Sequence, residues 1–258
     1  DPIELSYDTC VRRLLCATED HLETMHDSDE MYTQLRRRAK LVQGVDVRVQ
    51  NLCSPYGFIK NISFSVSAGG RLIVAGENGA GKTTLLKLLM GISVPESGTI
   101  LIDTVPPSKL SKRTIGYIPQ TAENSEYGLS VEEVVSLGLP PFVKEKKARI
   151  RKALSRVDAQ HLTGRSFLSL SGGEKQKVSF ARCLAQNAKL LLLDEPTAAL
   201  DAESRSCVVE ILHSLSVSEI PTIILVTHDD SLLRMRGWDV FHMKSHGAES
   251  GIRGDTDG

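Results

Sequence analysis

The chain has no hydrophobic run long enough to cross a bilayer. About 20 consecutive apolar residues would be needed, whereas the longest runs, Leu190–Leu193 and Ile223–Val226, have the length of buried strands. Any role at a membrane is therefore expected from its aqueous side. Paired cysteines are also missing: Cys10, Cys16, Cys53, Cys183 and Cys207 are scattered, with no C-x-x-C or metal-like spacing. Such a set reads as reduced thiols in a cytosol-like compartment. Neither sign of charge is in excess. With 31 Lys and Arg against 32 Asp and Glu the net charge is −1, which gives no reason to expect nucleic acid as a bulk partner. Residues 1–30 do not read as a secretory signal, because charged residues interrupt each apolar stretch. The chain opens at Asp1 rather than Met, as expected of a processed or truncated start. Its 258 residues allow one large domain, or one domain with an appendage.

Residues 1–44 stand apart from the rest. An acidic patch (Asp27, Asp29, Glu30) precedes a basic cluster (Arg36, Arg37, Arg38, Lys40), with only patchy helical periodicity. The segment reads as a solvated extension or linker, or as a contact for a partner or membrane surface. From Val45 the pattern becomes regular. Val45–Val49 and Ile62–Val66 alternate like half-buried strands. Leu72–Ala75 reads as a short buried strand, followed by a glycine-rich loop and a helix over Thr84–Met90. Ile115–Ile118 is a further strand candidate. Ser130 and Glu133 form a capping box opening a helix through Leu137, and a second helix is predicted over Lys144–Val157. A helix from Gly172, a strand at Leu190–Leu193, a helix over Ala202–Leu215 and strands at Thr222–Val226 and Val240–Met243 complete the pattern. Apolar strands alternating with helices predict an α/β layered core. The helices between about 127 and 168 form an insert, and the Gly-, Ser- and Asp-rich stretch 245–258 is expected to be a flexible tail.

Gly76 to Thr83 reads G-x-x-x-x-G-K-T, directly after a buried strand and before a helix. Glycines let the backbone wrap a phosphate closely, and helix-start N–H groups supply partial positive charge. Lys82 adds a full charge against the β- and γ-phosphates, and the Thr83 hydroxyl is placed to ligate Mg²⁺. A buried lysine with no anion would be costly, so the motif predicts a nucleotide phosphate.

Two further elements narrow the reading. Ser171 and Glu174 within Leu170-Ser-Gly-Gly-Glu-Lys-Gln176 make another capping box when taken alone. Asp194 and Glu195 end a buried strand, where open α/β sheets place their chemistry. With these residues in hand, the chain over roughly Val45 to Lys244 resembles the ATP-binding-cassette family. The motifs occur in the family's order. Tyr56 stands as the aromatic before the phosphate loop, Gly76–Thr84 as Walker A, and Gln120 as the Q-loop glutamine. Ser171–Gln176 then matches the signature, Leu190–Glu195 Walker B, Ala198–Asp201 the D-loop, and His228 the switch histidine.

The resemblance implies a P-loop NTPase core with a mostly parallel sheet, an antiparallel β subdomain and a helical insert at about 121–170. It implies ATP and Mg²⁺ as ligands, with Tyr56, Asn78, Gly79, Gly81, Lys82, Thr83 and Thr84 around the nucleotide. Tyr-Gly at 56–57 is also a plain turn, and Phe58 is a nearby aromatic substitute. Thr83, Gln120 and Asp194 would hold the metal, Glu195 would polarise the attacking water, and His228 would contact the γ-phosphate. Ser171, Gly172 and Gly173 would face the nucleotide of a second subunit, which requires a head-to-tail dimer. Asp201 would act across that interface.

By the same resemblance the ATP drives transport through a separate membrane permease docking near Gln120 and the insert, with a substrate-binding protein as a candidate further partner. The segments Val131–Gly138 and Arg182–Asp194 are similar to importer ATPases for metal ions, siderophores or cobalamin, although the insert after Gly138 is short for that group. The chain would then be cytoplasmic and peripheral on the inner membrane face. Ending soon after the last strand, it is expected to lack a C-terminal regulatory domain. Export of haem or lipid, a biogenesis role and a soluble non-transport role are the alternatives.

Overall fold

The computed structural model describes residues 44–55, 59–120, 128–198, 200–218, 221–244 and 251–253. The extension 1–43, Tyr56 and Phe58 lie outside the described residues, as do 121–127 at the start of the insert and 245–250 and 254–258 of the tail.

Three strands make a small antiparallel sheet: β1 (Val47–Cys53), β2 (Ile62–Val66) and β4 (Ser97–Ile102), in the order β2-β1-β4. Their alternation puts Val47, Val49, Phe64 and Val66 inward and Arg48, Ser63 and Ser65 toward solvent. Strand β4 escapes detection from the sequence because Ser97, Gly98 and Thr99 are all exposed, so the apolar alternation is absent from its first half.

The second sheet has six strands in the order β5-β6-β7-β3-β8-β9. Strands β3 (Arg71–Ala75), β5 (Ile115–Ile118), β6 (Leu190–Asp194), β7 (Thr222–Thr227) and β8 (Asp239–His242) pair in parallel. β6 and β7 are buried along their whole length, which is why both read as continuous apolar runs rather than alternating ones. Leu191, Leu193, Ile223 and Leu225 face one core, Leu190, Leu192, Ile224 and Val226 the other. The stretch expected to be a flexible tail is corrected at Gly251–Arg253, which forms β9 and pairs antiparallel with β8. Backbone pairing to an open sheet edge fixes these residues, a cause that composition does not register.

One core lies between the large sheet, the small sheet and helix α1 (Lys82–Leu89). Phe64 and Phe241, with ring centroids 5.2 Å apart, join the two sheets across it. The other core lies under helices α2 (Val131–Ser136), α3 (Lys146–Arg156), α4 (Gly172–Gln186) and α5 (Ala202–Ser218). A short helix α6 (Asp230–Leu233) follows β7. Helices α2 and α3 form the insert and pack on α4. The carboxyl ends of β3, β5, β6 and β7 thus open beside one another, each continuing into a segment singled out above.

Candidate nucleotide site

The loop between β3 and α1 takes its shape from two glycines in the left-handed region, Gly79 at φ 87° and Gly81 at φ 94°. Gly81 is also the residue from which α1 starts, and it supplies no side-chain cap. A Cβ on Gly79 would meet nothing within 4 Å, so the loop keeps open space on that side. Asn78 is exposed in the same loop.

Lys82 is the first residue of α1 and is only 6% exposed. Its ammonium donates to the carbonyls of Gly76 at 2.7 Å and Glu77 at 3.0 Å, and stands 3.4 Å from Glu195 Oε1. A lysine at the positive end of a helix is disfavoured by the helix dipole, so this arrangement suits an anion held between them. The residues present fit a phosphate.

Asp194, the last residue of β6, is buried, and burial raises its carboxyl above the ordinary range against hydrogen bonds from Thr83 and Tyr117 that lower it. The Thr83 hydroxyl donates to Oδ2 at 3.1 Å and the Tyr117 hydroxyl to the same oxygen at 3.2 Å. Among the described residues no group of three or more His, Cys, Asp or Glu forms a metal cage. One carboxylate beside a threonine hydroxyl is instead the donor set that suits Mg²⁺, which retains waters and completes its shell with substrate phosphates.

Glu195 follows Asp194 with φ 45°, a left-handed conformation unusual for a non-glycine residue. Pro196 narrows its options further. Its N–H donates to Val226 O at 2.9 Å, and Ala198 N–H donates back to Glu195 O at 3.0 Å. The buried carboxylate lies between two cationic or cation-capable groups, Lys82 at Oε1 and His228 Nδ1 at 2.7 Å from Oε2. The second contact is close but lacks hydrogen-bond alignment. His228, just past β7, keeps a side chain 52% exposed.

Ser171 caps α4. Its hydroxyl accepts from Glu174 N–H at 3.3 Å, while Glu174 Oε2 accepts from Ser171 N–H at 2.8 Å. The Ser171 N–H bond and Arg165, 2.9 Å away, hold the Glu174 carboxyl below the usual range despite opposing burial. Ser171 and Gly172 face solvent, while Gly173 has no room for a Cβ against Ser204 of α5. Asp201 caps α5, its Oδ1 accepting from Ser204 N–H at 2.8 Å.

Lys82, Thr83, Asp194, Glu195 and His228 therefore converge in one site. Thr84 lies in the first turn of α1, partly exposed. Gln120 lies past the end of β5, exposed, and the Thr83–Asp194–Tyr117 bonds form without it. Ser171 and Gly172 form a second, exposed helix start, with Gly173 buried behind them. Tyr117 is a member that sequence reasoning missed: an aromatic in a short strand reads as core.

Comparison with known proteins agrees with this geometry. Residues 59–198 match the family model described as ABC transporter. The chain is 34% identical over 197 residues to the energy-coupling factor transporter ATP-binding protein of Staphylococcus epidermidis, covering 73% of each. It is 40% identical over 183 residues to the hemin import ATP-binding protein of Shewanella denitrificans, covering 66% of this chain and 72% of that protein. A dimeric ATP-binding cassette in a post-hydrolysis state with ADP and Pi superposes with a TM-score of 0.70 at 25% identity, over 81% of this chain and 99% of that one.

Proposed function

We propose that this chain, which belongs to the ATP-binding-cassette transporter family, is the ATPase subunit of an importer whose permease is a separate membrane protein. Membership makes it an ATPase that binds ATP with Mg²⁺ and works as a dimer of cassettes. The observation that carries the mechanistic reading is the position of Glu195, buried between Lys82 and His228 at the end of the strand that carries Asp194.

In this reading the loop from Gly76 to Thr84 wraps the phosphates, with Asn78 contributing mainly through its backbone, and Tyr56 stacks on adenine. Bound Mg²⁺ supplies charge neutralisation at the phosphate oxygens. Thr83, Asp194 and the amide oxygen of Gln120 would hold it. Phosphate arriving at Lys82 competes for its ammonium and frees Glu195 to accept a proton from water. His228 orients Glu195 and contacts the γ-phosphate. Ser171, Gly172 and Gly173 serve the nucleotide held by the opposite subunit, so the dimer is head-to-tail.

Import of a metal ion or metal chelate is supported by the relatives, one of which is a hemin import protein. Among the described residues no helix is long and apolar enough to cross a membrane; in this reading the permease is a separate chain and this one works at the inner face. Leu137 and Phe142, 66% and 98% exposed on the insert, provide apolar surface for that partner.

Replacing Glu195 by Gln tests the chemistry. ATP affinity should persist, the dimer should become stable to gel filtration with ATP, and turnover should fall about 10²–10⁴-fold. Unchanged turnover would remove Glu195 from the general-base role. For transport, the tagged chain should co-purify with a polytopic membrane protein from detergent extracts, and cells carrying only the variant should lose metal-chelate uptake. Recovery only in the soluble fraction, with uptake intact, would overturn the importer reading.

A further inference from the structure

Asp229 lies next to His228 and is not among the residues assigned above. Its carboxylate serves three segments. Oδ2 accepts from the Thr197 hydroxyl at 3.1 Å and lies 3.7 Å from Nε of Arg205, near the start of α5. Oδ1 accepts from the N–H of Ser231 at 2.9 Å and caps α6. Its own N–H donates to the Thr227 hydroxyl at 2.9 Å, at the end of β7. Thr197 is only 2% exposed and Thr227 only 1%.

These contacts bracket the two reacting side chains. Glu195 and Thr197 belong to the turn by which the chain leaves β6. That turn is joined to the β7 end twice, through Glu195 N–H on Val226 O and through Thr197 on Asp229. His228 stands between those two attachment points. A non-glycine residue with φ near 45° persists only where its surroundings over-determine it. The first attachment acts on the Glu195 backbone itself, and the second closes the turn two residues on.

We propose that Asp229, acting through Thr197, is a positioning residue that clamps the Glu195 turn to the His228 loop and so keeps the general base in its reactive conformation. The inference rests on the roles given above to Glu195 and His228. The clamp acts through the Glu195 turn, so its effect belongs in the rate of hydrolysis and not in ATP binding. It also ties the loop carrying His228 to the start of α5, next to Asp201, so a shift at the proposed dimer interface reaches Glu195 through one ion pair and one hydrogen bond.

The test uses the purified full chain with Thr197→Val, Thr197→Ser, Asp229→Ala and the Thr197→Val/Asp229→Ala pair, with Glu195→Gln in parallel. Valine keeps the shape and removes the hydroxyl. We expect Thr197→Val to lower kcat at least tenfold, with KM and ATP affinity within twofold of wild type. Thr197→Ser should recover kcat to within threefold, and the pair should be no slower than Asp229→Ala within twofold. Asp229 has a partly exposed side chain, so its variant reports the contact even where Thr197→Val does not fold. A kcat within twofold of wild type in both single variants would overturn the clamp, as would equal losses in the Ser and Val variants or losses that multiply in the pair. Those results beside an inactive Glu195→Gln remove the clamp alone; an active Glu195→Gln removes the site reading on which it rests.

Discussion

Helix α1 begins at Gly81, whose left-handed backbone supplies no side chain as a cap, whereas α4 begins at Ser171 with both halves of a capping box in place. The first turn of α1 has no acidic residue and buries Lys82, so its positive end is made more positive. The first turn of α4 carries Glu174, so its positive end is already answered. Both starts are glycine-bearing and both suit a phosphate. One is left incomplete by its own chain, and the other is stable as it stands. The incomplete helix start suits the subunit that holds the nucleotide, because ligand binding then completes the fold. In the proposed head-to-tail dimer, the finished one suits a surface that must exist before its ligand arrives on another molecule.

The contrast can be broken most severely at Lys82. Lys82→Ala should lower ATP affinity at least a hundredfold by titration calorimetry and abolish the thermal stabilisation that ATP gives the wild type, which grows as RT ln(1 + [L]/Kd). Ser171→Ala should act differently: about 1 kcal/mol of stability lost with the cap, a Tm lower by roughly 2–4 °C, and slower turnover with ATP affinity of the monomer unchanged. Ser130→Ala sharpens the comparison, since Ser130 and Glu133 form the same box at α2. It should lower Tm similarly and leave turnover within twofold. The smallest effect is that of acid. Glu133 and Glu174 are both held below the ordinary carboxylate value, by hydrogen bonds from Ser130 and from Ser171 respectively. Each box therefore contributes fully above the unfolded-state pKa and loses its contribution as pH falls through the lower folded value. Circular-dichroism melts should show that slope flattened in Glu133→Gln and Glu174→Gln, which remove the titrating carboxyl, and largely kept in Ser130→Ala and Ser171→Ala, whose backbone N–H still donates.

The phosphate loop and the strands β3, β6 and β7 were legible because the relevant signals are local. Glycines at set spacing and unbroken apolar runs mark a strand, turn and helix without any knowledge of neighbours. The convergence of Lys82, Asp194, Glu195 and His228 was legible only through the resemblance, since it depends on the sheet order placing β3, β6 and β7 side by side. Tyr117 could not be read, because its hydroxyl finds Asp194 only through the parallel pairing of β5 with β6. Thr197 and Asp229 were hidden for the same reason: each looks like turn chemistry until β7 brings them within 3.1 Å. Strand β9 depends on an edge that only the assembled sheet provides.

The backbone of Glu195 sets stability against activity. A residue in that left-handed region carries about 1–3 kcal/mol of strain that asparagine or glycine would relieve. Selection for folding alone would therefore drift toward those two residues here, and a stability-guided redesign would be drawn to the same substitution. On the proposed general-base role, position 195 keeps the costlier residue for turnover, and Glu195→Asn or Glu195→Gly would give a sturdier but idle protein.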